Sequence, residues 1–258
     1  MTRALHSEPA SALEERHPPA IAQVGVAGVR QQRDGDFAPE DFALAIRDAT
    51  KRWQKRQAPI LDGLELTLKP SSLTWVGGPN GAGKTTMLRI AAGLIDPDRG
   101  SVEVWGLTPR QNRARFQQLV SFLPAGDRGL YARLTVRKQL EFCARIAMLP
   151  RARFRRSVEQ AIDSFDLHEL ADRRVDRISM GQRQRLRIAM TFLPRPEVVL
   201  LDEPLTSLDG DGATLLHEAI DELLTRDGAV LWCSPSGEQL DMRFDARWHL
   251  DHGRLVSV

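Results

Sequence analysis

Apolar and polar residues alternate along Phe42-Ala43-Leu44-Ala45-Ile46 and Leu64-Glu65-Leu66-Thr67-Leu68, a period of two that predicts strands, with Pro59 and the Lys69-Pro70-Ser71 turn as punctuation. Leu73-Thr74-Trp75-Val76 adds another short run of strand formers, and residues 86–92 then read as a helix. A turn at Asp96-Pro97-Asp98-Arg99-Gly100 leads into strands at residues 101–106 and 120–124. From residue 135 to about 174 the spacing changes. Val136, Leu140, Phe142, Ile146, Phe154, Val158, Ile162, Phe165, Leu167 and Leu170 recur mostly at steps of three and four, which predicts helices with those side chains turned inward. Val198-Val199-Leu200-Leu201 then has no polar alternation, as expected of a strand buried on both faces, and Ala229-Val230-Leu231-Trp232-Cys233 follows. The order is a β-rich entry, a sheet, a helical insertion and the sheet resumed, hence an α/β fold. Residues 1–40 lack periodicity, are rich in Pro, Ala, Glu, Arg and Gln, and read as a mobile tail.

Composition excludes more than it assigns. The 258 residues, 42% hydrophobic, suffice for one substantial α/β domain. A formal charge of +2 gives no argument for nucleic acid, and none is expected as a partner. No apolar run nears the ~18 residues that a membrane-spanning helix needs. The first nine residues lack the apolar core of a signal peptide, which predicts a cytosolic chain. Cys143 and Cys233 are too few for a disulfide or zinc framework and read as reduced, buried small residues.

Candidate chemistry starts at Gly78-Pro79-Asn80-Gly81-Ala82-Gly83-Lys84-Thr85-Thr86, which fits the pattern G-x-x-x-x-G-K-[ST]. Glycines let successive backbone N–H groups turn toward phosphates, Lys84 supplies a point charge for the β and γ oxygens, and Thr85 can hold Mg²⁺. The competing reading is a glycine-rich turn that binds nothing. The strand before the glycines and the helix after them argue against it, since that arrangement aims a helix N-terminus at a phosphate.

Two further stretches follow in fixed order. Ile178-Ser179-Met180-Gly181-Gln182 comes after the helical insertion, and Ser179 lies 23 residues ahead of Asp202, which opens Asp202-Glu203-Pro204 at the end of the apolar strand. Together with Ser207-Leu208-Asp209, these stretches resemble the signature motif, acidic strand end and D-loop of the ATP-binding cassette (ABC) ATPases, and the resemblance covers nearly all of residues 42–258. The usual signature is L-S-G-G-Q, and Met180 stands where that form has glycine.

The resemblance implies a P-loop NTPase of ABC type, with a RecA-like mixed sheet, an antiparallel β entry and a helical subdomain at about residues 125–190 of a domain spanning 41–258. It implies ATP and Mg²⁺ as cofactors. Asp202 would orient the metal with Thr85, and Glu203 would be the general base that polarises water. Ser179, Gly181 and Gln182 would face the γ-phosphate of a second ABC subunit, so that a head-to-tail dimer encloses two nucleotides. Trp53 occupies the place of the aromatic that stacks on adenine, and packing into the β-rich entry is its alternative. The stretch from Asp127 to Arg137 looks most like the ATP-binding subunits of bacterial ABC-2-type exporters, where this surface docks on a separate permease. That places the chain as a peripheral protein on the cytoplasmic face of a membrane.

Two departures bear on turnover. The family usually carries Gln where this chain has Ala125-Gly126-Asp127, and His near Ser234-Pro235-Ser236, with His249 and His252 too far downstream to serve. Both groups assist hydrolysis, so the resemblance implies ATP binding with attenuated turnover. Translation and repair members of the family are the alternative class. The first usually carry two cassettes and the second a long coiled coil, whereas only 95 residues separate Lys84 from Ser179 here, with no heptad run. A regulatory nucleotide-binding module with little turnover is the third reading. Arg151, Arg153, Arg155 and Arg156 read as a solvated helix face, because interleaved aromatics are sparse.

Overall fold

Strand β3 (Ser72–Gly77) is buried at every position and lies inside a six-stranded sheet, so Ser72 and Thr74 are covered along with Leu73, Trp75 and Val76. The computed structural model describes residues 42–54, 58–235 and 242–258. The expected tail at residues 1–40 lies outside them.

Before β3 come β1 (Leu44–Lys51) and β2 (Leu61–Leu68), an antiparallel pair. Strand β4 (Arg99–Val104) joins the other edge of β1, giving the order β2-β1-β4 and confirming the antiparallel entry. The main sheet has the order β5-β6-β7-β3-β8-β9, from β5 (Val120–Leu123), β6 (Val198–Asp202), β7 (Ala229–Cys233), β8 (Ala246–Asp251) and β9 (Arg254–Ser257). Its first five strands run parallel and β9 closes it antiparallel. Strands β3 and β6 are separated by β7 alone, so the loops leaving their C-terminal ends share one sheet edge.

Helix α1 (Lys84–Ala91) follows β3, and α2 (Arg113–Leu119) precedes β5. Between β5 and β6 lie α3 (Val136–Ile146), α4 (Arg151–Ser164) and α5 (Met180–Phe192). They pack through Leu140, Ala144, Val158, Ile162 and Leu186 against the apolar layer that also holds Leu201 and Trp232. Helix α6 (Gly210–Leu224) leads to β7. A second apolar layer, with Met87, Leu88 and Ile90 of α1 among Leu44, Ile46, Leu200 and Leu231, joins the β entry to the other face of the sheet.

Two expectations need amendment. Ile146 follows the helical spacing but is 65% exposed, because α3 ends there and the chain turns away before α4 can cover it. Cys143 is only partly buried, while Cys233 is fully so, and both are free thiols. Burial pushes the Cys143 thiol up to about 11.

Candidate nucleotide-binding site

The loop between β3 and α1 is shaped by what its glycines avoid. A Cβ on Gly78 would stand 2.6 Å from the Leu250 carbonyl oxygen. Gly83, with φ of 109°, caps α1 in a conformation that L side chains rarely adopt. Lys84 opens α1 and is buried, yet no carboxylate among the described residues pairs with it. Its ammonium donates to the carbonyls of Gly78 at 2.6 Å and Pro79 at 3.1 Å. A buried cation held by neutral oxygens at a helix N-terminus fits a phosphate ligand.

Facing this loop, Asp202 ends buried strand β6. Its Oδ2 accepts from the Thr85 hydroxyl at 2.8 Å, and its carboxylate accepts from the Ala125 backbone N–H. Burial raises the Asp202 pKa, while the Thr85 hydrogen bond and the Lys84 charge pull it down. Hydroxyl and carboxylate oxygens at one point are the donor chemistry that suits Mg²⁺. Glu203, the next residue, has a left-handed φ of 51° and is anchored by its N–H to the Cys233 carbonyl at 2.8 Å. That unusual backbone turns Glu203 out of the sheet edge into the same cleft.

The cleft, of about 210 Å³, is lined by Trp53, Ile60, Asn80, Gly81, Gly83, Lys84, Thr85, Thr86, Asp202 and Glu203. Thus ten positions from three separated stretches meet. Gly78 and Pro79 stand behind Lys84, and Ala82 donates its N–H to the Pro79 carbonyl at 3.2 Å. Trp53 is 56% exposed with the Lys51 ammonium 5.8 Å from its ring centroid, so it is not packed into the β entry.

Ser179, Gly181 and Gln182 do not line this cleft. Ser179 caps α5, accepting from the Gln182 N–H at 3.1 Å while Gln182 Oε1 accepts from the Ser179 N–H at 2.9 Å. Gly181 lies against the stretch at Ser207, whose carbonyl oxygen would be 3.2 Å from an added Cβ. Met180 accepts from the Ser207 hydroxyl through its sulfur at 3.0 Å, so the residue that departs from the usual signature contacts the D-loop stretch.

Sequence reasoning missed the polar core of α5. Gln184 donates to the Pro204 carbonyl at 2.7 Å, just past Glu203. Arg185 reaches Asp166 at 3.1 Å and Asp209 at 3.5 Å, and Asp209 caps α6. Arg187 donates to Gln184 Oε1, to the Pro124 carbonyl and to the Arg128 carbonyl. Burial holds the Arg187 pKa down, with Asp127 opposing. Polar residues at 184, 185 and 187 amid Leu186, Ile188 and Ala189 were the available signal. Gln139, fully buried, also went unnoticed; it accepts from the Tyr131 N–H at 2.9 Å and donates to the Gly129 carbonyl at 3.1 Å.

The loop that Gln139 holds borders an open apolar groove of about 610 Å³, lined by Tyr131, Ala132, Arg133, Leu134 and Phe142. Tyr131 and Phe142 meet edge to face with centroids 5.0 Å apart. Ala125 offers Asp202 a backbone N–H. Pro235 follows β7, and Ser236 lies outside the described residues.

The chain is 29% identical over 215 residues to the ABC transporter ATP-binding protein NatA of Bacillus subtilis, covering 83% of this chain and 87% of that protein. It is 32% identical to the daunorubicin resistance ATP-binding protein DrrA3 of Streptomyces coeruleorubidus, covering 84% and 68%. Among solved structures, an ATP-binding subunit of an ABC transporter superimposes with a TM-score of 0.75 at 23% identity, over 83% of this chain and 88% of that one. A dimeric ATP-binding cassette bound to ADP and Pi superimposes with a TM-score of 0.72 at 20% identity, over 82% and 96%. These two likenesses concern the fold, a P-loop NTPase with the mixed sheet described above. The sequence model described as ABC transporter matches residues 61–206, more than half of the chain, and the chain belongs to that family.

Proposed function

We propose that this chain is the ATP-binding and hydrolysing subunit of an exporter whose permease is a separate chain. One observation carries the catalytic half of the reading: the Lys84 ammonium, the Thr85–Asp202 pair and Glu203 open into one cleft beside Trp53. Lys84 and the loop N–H groups would hold the phosphates, and Trp53 the adenine. Thr85 and Asp202 would hold Mg²⁺, which when bound neutralises charge on the phosphates. Glu203 would accept the proton of the attacking water. Ser179, Gly181 and Gln182 would complete the site of a second subunit, in keeping with their absence from this chain's own cleft. We take residues 41–258 as the ABC ATP-binding domain, with about 125–190 as its helical subdomain.

The transport half rests on relatives and on the groove. NatA is an ABC transporter ATP-binding protein, and DrrA3 is a daunorubicin resistance ATP-binding protein. The Nod factor export ATP-binding protein I of Ralstonia nicotianae, 30% identical, covers 83% of this chain and 66% of its own length. The apolar groove at Tyr131 and Phe142 suits a helix of a permease. No described helix is long and apolar enough to cross a membrane, so such a chain would sit peripherally on its partner.

A regulatory module with little turnover is the second reading, favoured by Ala125, whose side chain cannot reach a phosphate. Co-purification with a candidate permease and ATP turnover, with and without it, separate the two. Binding and stimulated turnover support the transporter subunit; binding without turnover supports the regulatory module. Glu203→Gln tests the base. It should retain ATP affinity and accumulate ATP-bound dimers in size-exclusion chromatography with Mg²⁺, whereas a monomer turning over ATP at the wild-type rate would assign the base elsewhere.

A further inference from the structure

Residues 145–156 read Arg-Ile-Ala-Met-Leu-Pro-Arg-Ala-Arg-Phe-Arg-Arg, five cations in twelve positions with no acid. Arg151, Arg153, Arg155 and Arg156 are exposed on the first turns of α4, and Val158, Ala161 and Ile162 turn inward. None of the five arginines pairs with a carboxylate among the described residues. Glu159, one turn beyond Arg155, is taken by Arg137, and Arg145 lies over the Phe154 ring at 5.6 Å. Glu141, one turn before Arg145, is the other nearby acid.

Apolar exposure accompanies the charge. Ile146 is 65% and Met148 59% exposed, at the corner between α3 and α4. Met148 has a left-handed φ of 53°, in a turn closed by its own N–H to the Arg145 carbonyl and by the Leu149 N–H to Ala144. Glycine is the usual residue there, so a long apolar side chain is held outward at a conformational cost. Phe142 and Ile146 stand one helical turn apart on α3, so the corner continues the face that carries the apolar groove.

We propose that this corner is a lipid contact: Ile146 and Met148 enter the headgroup region of a bilayer while Arg151, Arg153, Arg155 and Arg156 bind anionic lipid. Two exposed large apolar side chains followed within ten residues by four exposed arginines, with no acid between them, match the polarity of an anionic membrane surface. A solvated helix face accounts for the arginines but leaves two large apolar residues in water beside them. Charge complementarity fixes the class of lipid, and continuity with the groove would let one face meet permease and bilayer together. Only access to a membrane rests on the transporter reading, because lipid binding belongs to the isolated chain.

Flotation of the purified chain with phosphatidylcholine vesicles, with and without about 30% phosphatidylglycerol, tests the inference. The chain should float with the anionic vesicles only, and less so as salt rises. Arg151→Gln, Arg153→Gln, Arg155→Gln and Arg156→Gln together should lower the bound fraction at least about tenfold, while lysine at the same four positions should retain it. Ile146→Gln with Met148→Gln should remove the binding that survives at high salt. A fluorescent ATP analogue measured on every variant reports folding and the nucleotide site independently, so lost lipid binding with retained nucleotide binding leaves the transporter reading untouched. Equal flotation with both vesicle types, unchanged binding of the glutamine variant, or release by duplex DNA of equal total charge would overturn the lipid assignment.

Discussion

The guanidinium of Arg187 donates to Gln184 Oε1 at 2.6 Å, and Gln184 passes the contact on to the Pro204 carbonyl beside Glu203. The same guanidinium grips the carbonyls of Pro124 and Arg128, which bracket Ala125. Because the Ala125 N–H reaches Asp202, one buried cation spans the loop after β5, the signature helix and the acidic strand end. In a chain with alanine at position 125, the backbone of that loop joins the segment leading to the Tyr131 groove to the nucleotide site.

Arg187→Ala would strand Gln184 Oε1 and two carbonyls in a water-poor region. Breaking hydrogen bonds to a buried charge costs about 2–4 kcal/mol in total, so the urea midpoint should fall accordingly. If Arg187 positions the loop, turnover should fall by more than ATP affinity. Equal losses in the two, or an unchanged midpoint, would reduce Arg187 to a surface-like residue.

Asp202→Asn separates stability from ligand binding. The folded-state pKa of Asp202 is raised, chiefly by burial, so its contribution is present below the unfolded carboxylate value near 3.8 and is lost as pH rises through the raised value. The nucleotide-free variant should therefore gain stability over wild type above that window and lose the advantage below it. Mg²⁺-dependent ATP binding should weaken at the same time. Thermal melts across pH, with titrations in the presence and absence of Mg²⁺, check both signs.

Trp53→Ala should weaken ATP and GTP alike by about 1 kcal/mol, roughly fivefold, since a ring face reads flatness and not base identity. Its exposure at the cleft makes the stability effect small. Isothermal titration with both nucleotides, and equal melting temperatures for variant and wild type, are the expected results.

The P-loop and the acidic strand end were legible because their chemistry is local: a strand, a run of glycines and a lysine announce the geometry within ten residues. The β entry was legible from the alternation of Leu64, Leu66 and Leu68. Strand β8 was overlooked although Ala-Arg-Trp-His-Leu-Asp alternates apolar and polar residues: the run is short, only Leu250 in it is buried, and its place in the sheet comes from pairing with β3, about 170 residues away in sequence. The bonds of Arg187 were hidden for the same reason. A helix sequence names its buried arginine only as an irregularity in its apolar face, and the partners come from loops 59 and 63 residues distant. Ile146 failed in the opposite sense: the spacing of α3 extends to it, but the packing that spacing implies stops one turn earlier.

The last prediction concerns what this chain lacks. Its signature-like stretch keeps Ser179, Gly181 and Gln182 with Met180 in place of a glycine, whereas Ala125 and Pro235 stand where, by the family resemblance, Gln and His would assist hydrolysis. Each positioned transition-state donor is worth about 10²–10³ in rate, non-additively when the groups act together. Isolated wild-type protein should therefore turn over ATP far below the ~10 s⁻¹ typical of enzymes while binding it normally. Ala125→Gln combined with Ser236→His, or with Pro235→His in the neighbouring register, should raise the rate by at least tenfold without tightening ATP binding. Arg187 supplies the control, since the introduced Gln can act only on the loop that it pins: the gain should disappear when Arg187→Ala is added. Fast turnover by the unmodified isolated protein would remove the premise. Slow turnover unmoved by either histidine position would place the deficit outside these two groups.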